Sequence, residues 1–215
     1  MANCCINSVA FIAENDEALP ELERLRDKLV ETRKIPDGGY LYTVLQEHSI
    51  NPDNLSCRGE ILDIGEIETT FVEKLPCFTI GTETAWSPTS EAWEAILEKY
   101  KGIFTVYTAE ELGNGIFINT DVQGYCFTDR YRFEFYFGDK EVLSRTNIFG
   151  IGERFYDNHG DINGYYESDT DIIAFFSMLT DRKIFSLTQI RDFCESLHLV
   201  TDGEISFTLN EFSME

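Results

Sequence analysis

Two adjacent carboxylates, Glu110 and Glu111, follow a run of strand-forming residues, IFTVYTA at 103–109, that contains Tyr107. A carboxylate pair beside an aromatic ring can do general acid–base work when burial drives the two pKa values apart. Trp86, at the end of an earlier apolar run, is the second ring that a fold could bring to them. Adjacent residues on a strand point to opposite faces, so only one of the two carboxylates can face a ring. No histidine stands near them, the three being His48, His159 and His198. Solvated charges that discourage pairing between sheet edges explain the pair more simply. Trp86, Tyr107, Glu110 and Glu111 are therefore a candidate binding site, and no residue is assigned a catalytic role.

Other chemistry is poorly supplied. The segment DNHGDING, 157–164, offers oxygens from Asp157, Asp161 and Asn163. A calcium loop of the EF-hand kind needs glycine at its sixth position and glutamate at its twelfth. Counted from Asp157 these are Ile162 and Ser168, so the segment reads as a polar surface turn. The six cysteines, Cys4, Cys5, Cys57, Cys77, Cys126 and Cys194, include no CxxC pair, and the histidines are too scattered for a zinc site. Cys4 and Cys194 have no base beside them in sequence, and Cys194 falls on an apolar helix face, so both read as inert. Nucleophile-elbow, phosphate-loop, metalloprotease and dinucleotide signatures are missing, and GIG at 150–152 leads into Glu-Arg-Phe rather than a phosphate loop. No cofactor and no metal is expected.

The charge balance narrows the partners. Asp and Glu total 39 against 17 Lys and Arg, a net charge of -22 over 215 residues. Such a surface repels phosphate, which argues against direct nucleic-acid binding and against anionic membranes. The excess is distributed: from Gly150 onward there are 13 acidic and 4 basic residues. Its simplest role is solubility; its sharper role is attraction of a protein partner with a basic surface. The start, MANCCINSVAF, has neither the basic lead nor the long apolar run of a secretory signal, and no stretch is apolar enough to span a membrane. The chain reads as cytoplasmic, with reduced thiols.

The elements that must position these residues follow from periodicity. INSVAFIA, 6–13, is a strand. Asn15 and Asp16 offer caps for a helix over about 17–33, with Leu22, Leu25 and Leu29 forming a single stripe. Tyr40, Val44 and Leu45 suit a short helix closed by Asn51-Pro52, inside a stretch, 35–57, that reads as an insertion. Strands are predicted over 60–68, with Leu62 and Ile64 on one face, and over 77–82, with Phe78 and Ile80 on one face. Ser87 is the predicted N-cap and Pro88 the first residue of a helix carrying Trp93, Ile96, Leu97 and Tyr100 inward. Trp93 anchors the core, and Trp86, at the strand end, reads as a lid on that core. Strands at 103–109 and 116–120 flank the turn Gly113-Asn114-Gly115, and YRFEFYF, 131–137, alternates cleanly. Beyond a strand expected within 141–149 come a loop, a helix capped by Ser168 and Asp171, a second helix with Ser186 and Gln189 as capping box and Phe185 with Ile190 as hydrophobic staple, and a strand with Ile205, Phe207 and Leu209 inward.

The order strand, helix, strand, strand, helix, strand is that of a ferredoxin-like βαββαβ sheet, so the fold class is α+β. Met1-Ala2-Asn3, Asn7 entering a strand, ThrAlaTrpSerPro at 84–88, and a strand ending in Tyr107 before Glu110-Glu111 and Gly113 together resemble the YubB-type ferredoxin-like family of phages, plasmids and their bacterial hosts, over about residues 1–137. The resemblance implies a fold and a mobile-element setting, and no reaction. One departure is that Cys4-Cys5 stand where such relatives often carry a tryptophan, and a site built on that ring is absent here. The expected organisation is a ferredoxin-like domain over 1–150 and a helix-helix-strand extension over 151–215. The readings of function are a non-catalytic protein-interaction module, an enzyme with a carboxylate site near Trp86, Tyr107, Glu110 and Glu111, and an acidic nucleic-acid mimic that binds a basic protein. Nothing in the sequence speaks to oligomeric state.

Overall fold

A computed structural model describes residues 4–137, 164–200 and 205–214. The chain divides into two compact units, Met1–Phe127 with Ser213–Glu215, and Thr128–Phe212. The boundary expected at 150 thus falls at Thr128, because the strand YRFEFYF pairs with the C-terminal strand and not with the first sheet. The strand expected in 141–149, GIG at 150–152 and the polar turn DNHGDING lie, wholly or almost so, outside the described residues.

In the first unit, β1 (Cys4–Ala13), β2 (Gly59–Ile64), β3 (Glu68–Thr69), β4 (Pro76–Ala85), β5 (Ile103–Glu111) and β6 (Ile116–Asn119) form one six-stranded sheet. Its order is β2-β4-β1-β5-β6, with β3 also on β4, and every pairing is antiparallel. The connection from β1 to β2 skips over β4, and that from β4 to β5 skips over β1. These are the two split βαβ crossovers of the ferredoxin-like arrangement, and β3 and β6 are additions to it.

α1 (Leu19–Thr32), α2 (Leu41–Glu47) and α3 (Ser90–Leu97) cover one face of the sheet. Asn15 accepts hydrogen bonds from the Glu17 and Ala18 N–H groups, which starts a short 3-10 turn leading into α1. Leu22, Leu25 and Leu29 then lie fully buried against Val9, Phe11 and Phe78. Phe11 stacks on Phe78 at 5.0 Å and meets the Trp93 ring edge-on at 5.6 Å. Burying one such aromatic side chain contributes on the order of 2–3 kcal/mol. The stretch read as an insertion supplies Leu41, Val44 and Leu45 to the same core. Two local readings are corrected. α3 begins at Ser90 with Thr89 as N-cap, two residues later than expected, because Ser87 is drawn into the preceding turn. In β2 the register shifts between Ile61 and Asp63, so Ile61 is buried and Leu62 is 44% exposed; a bulge of this kind swaps the faces of the residues that follow.

The opposite face carries a smaller cluster, Ala10, Ile12, Cys77 and Val106, under Tyr125, Cys126 and Phe127. The loop over it is held by Asp121. This fully buried carboxylate accepts the N–H groups of Tyr125, Cys126 and Phe127 at 2.9, 2.7 and 2.9 Å.

In the second unit, β7 (Tyr131–Phe137) pairs antiparallel with β8 (Gly164–Tyr166) and β9 (Ile205–Glu211) in the order β8-β7-β9. Two helices, α4 (Asp169–Thr180) and α5 (Leu187–Val200), share a core with it made of Tyr131, Phe133, Ile172, Phe176, Ile190 and Cys194. Ser168 caps α4 as expected, its hydroxyl accepting the Asp171 N–H at 3.3 Å. At α5 the Gln189 N–H reaches Ser186, but the Gln189 carbonyl accepts from the Phe185 N–H. The staple fails: Phe185 is 73% exposed.

Candidate functional site

Trp86 does not lid the core. It is 54% exposed and adopts a left-handed backbone with φ +70, a region that bulky residues avoid at a cost of roughly 1–2 kcal/mol. The Arg58 guanidinium lies 5.1 Å from the centre of its ring. A buried polar chain imposes this conformation. The Asn7 amide donates to the Thr82 and Thr84 hydroxyls at 3.2 and 2.9 Å, and the Thr84 hydroxyl donates to the Ser87 carbonyl at 2.8 Å. The turn 84–87 is thereby tied to β1 with its indole outward. Trp93, by contrast, is the core anchor the helical stripe predicted, at 3% exposure.

The four residues of the sequence-derived site do not form one constellation. Tyr107 sits opposite Val9, half-buried on the helix-covered face, where burial raises its phenol pKa above the ordinary value. Glu111 follows on that same face by strand alternation, and it is 3% exposed. Its two oxygens accept the N–H groups of Gly113, at 2.9 Å, and Asn114. This carboxylate closes the β5–β6 turn. Glu110 points to the opposite face, beside Ile6. Burial raises the Cys5 thiol pKa, against a lowering by the Thr84 hydroxyl, and the Glu111 charge raises it further. Burial likewise holds the Cys194 thiol up at about 12.

A different set of residues is brought together at the open end of the sheet. Glu60 stands directly opposite Glu83, Glu83 opposite Ile6, and Ile6 opposite Glu110, a file of three carboxylates and one exposed isoleucine across four strands. Like charges directly opposed on a sheet are destabilising. Beside Glu60 and Glu83 opens a cavity of about 240 Å³ that Cys4, Tyr40 and Arg58 also line. It adjoins a second cavity of about 430 Å³ lined by Tyr40, Tyr42, Leu55, Cys57 and Arg58. Tyr40 and Tyr42 are about half exposed. The alternation of β4 shows Glu83 and Thr84 on opposite faces, but the partnership with Glu60 and Tyr40 depends on register and on the path of 35–57. The periodicity carries no signal for either.

Among the described residues no cluster of His, Cys, Asp and Glu has the geometry to hold a metal, and no helix is long and apolar enough to cross a membrane. No protein-family profile matches the chain, and no curated protein matches it. One solved structure, described as that of a glycine cleavage system transcriptional repressor, aligns over 97% of this chain and 96% of its own at 12% identity, with a TM-score of 0.23. A likeness of that size bears on neither fold nor function.

Proposed function

We propose that the chain is a non-catalytic, cytoplasmic interaction module that binds a protein with a basic surface. The observation that carries this reading is the file Glu60, Glu83, Ile6, Glu110 across one end of the sheet, on the face opposite the helices. Among the described residues the ion pairs engage Glu21, Glu47, Glu66, Glu134 and Glu211, and none engages Glu60 or Glu83. The field of a chain with net charge -22 steers a cationic partner and repels phosphate. The enzyme reading loses its support with Glu111, whose oxygens are engaged by the turn, and with Glu110 on the other face. A nucleic-acid mimic needs a longer file of charges than three glutamates. The mobile-element setting rests on the resemblance of Asn7, ThrAlaTrpSerPro and Glu110-Glu111 to the YubB-type family, and the structure joins two of these motifs through the Asn7–Thr84 hydrogen bond.

Affinity capture from a lysate of the native host, with mass spectrometry, tests the reading. The expected catch is enriched in proteins of basic isoelectric point and is released by salt on the order of 0.5 M, which roughly halves the Debye length. A catch without basic proteins refutes it.

A further inference from the structure

The two cavities share Tyr40, Arg58 and Gly59, so they form one groove from the 40–42 segment to the ends of β1 and β4. One half is walled by tyrosines and Leu55. The other is walled by the opposed carboxylates Glu60 and Glu83. We propose that this groove docks an extended segment of a partner protein, and that an arginine or lysine side chain of that segment enters between Tyr40 and the Glu60–Glu83 pair. The inference rests on the basic-partner reading above and adds the place and the recognised side chain.

Charge complementarity selects the occupant. A cation set between Glu60 and Glu83 removes the repulsion that their cross-strand register imposes on the free protein. It also gains charge-assisted hydrogen bonds, which are roughly twice as strong as neutral ones. The groove's own cation, Arg58, is turned onto the Trp86 ring, so an aromatic face and not the ligand holds it. Tyr40 lines both cavities and offers a second aromatic face for an aliphatic stem or a guanidinium. The tyrosine-walled half suits an apolar or aromatic neighbour of the basic residue. Asn7 and Thr84 act as positioning residues, because their hydrogen bonds fix the turn after the groove residue Ala85 and set Trp86 against Arg58.

The test uses the full chain and three hexapeptides, of arginine, of citrulline (same shape, no charge) and of glutamate, by titration calorimetry at low and at moderate salt. The arginine peptide is expected to bind, the citrulline peptide at least about tenfold more weakly and the glutamate peptide not at all. The double variant Glu60→Gln/Glu83→Gln is expected to lose about tenfold in affinity, and Tyr40→Ala severalfold. Glu23→Gln/Asp27→Asn, which removes the same charge from exposed positions of α1, is expected to bind as wild type does. Equal losses in the groove pair and the α1 pair overturn the groove while leaving a diffuse basic-partner reading intact. No binding of the arginine peptide at low salt overturns both. Tighter binding of a thymidine decanucleotide than of the arginine peptide also overturns both. Near-ultraviolet circular dichroism of the buried Trp93 confirms that each variant is folded.

Discussion

Glu111→Gln separates a turn-closing carboxylate from a reactive one. In the wild type each carboxylate oxygen accepts one backbone N–H, from Gly113 and from Asn114, in a site only 3% exposed. Glutamine keeps one acceptor and turns its NH2 toward the other N–H. The lost charge-assisted bond is worth about 1.5–3 kcal/mol, and the surviving one weakens by about 1 kcal/mol as its acceptor becomes neutral. Relief from burying a charge returns part of this. The net expectation is a loss of about 2 kcal/mol, or a fall in Tm of about 6–10 °C for a unit of this size. Both tryptophans belong to the first unit, so indole fluorescence during urea unfolding reports that unit alone. Affinity for the arginine peptide is expected to stay unchanged. A variant as stable as wild type to within about 0.5 kcal/mol, or one that keeps its stability and loses a measurable turnover, refutes the reasoning.

The two indoles are expected to respond in opposite ways. Trp93→Ala opens a cavity beside Phe11 and should cost about 3–5 kcal/mol. Trp86→Gly removes a left-handed strain along with an exposed ring, and should change unfolding stability by less than about 1 kcal/mol. His48 is buried, with one ring nitrogen 2.8 Å from the Val44 carbonyl, and burial lowers its pKa below the ordinary histidine value. The unfolded chain therefore takes up the proton first, and stability should fall as pH drops from about 7 to about 5.5; His48→Asn should flatten that slope in urea titrations at each pH. Cys77 and Cys126 lie within hydrogen-bond reach of one another under the 121–127 loop. Hydrogen peroxide should join them, two thiols and one peroxide giving a disulfide and two waters, with a mass loss of about 2 Da and a rise in stability of up to about 4 kcal/mol. Peptide mapping that finds Cys126 linked elsewhere, or Cys77 unreacted, refutes the proximity.

Much of the fold is legible in the residues alone. Leu22, Leu25 and Leu29 mark a one-sided helix, Phe78 and Ile80 a strand with one buried face, and Trp93 with Ile96 the stripe that α3 turns inward. These are properties of local period, since burial of one face leaves one phase for the apolar residues. Two readings failed at points where local period gives no instruction. A bulge inverts the Leu62 face, and β7, inside the domain expected over 1–150, pairs with the C-terminal strand, because its alternation suits any partner.

The functional residues divide in the same way. Net charge, which needs no coordinates, is where the proposal of a basic partner begins. Only the tertiary structure decided that Glu111 closes a turn, that Asn7 and Thr84 hold Trp86 outward, and that Glu60 faces Glu83 beside Tyr40. Each of these is a contact between residues distant in sequence or a choice among turn conformations of similar energy. Strand register and long-range hydrogen bonds make that choice, and the order of residues along the chain does not encode it locally.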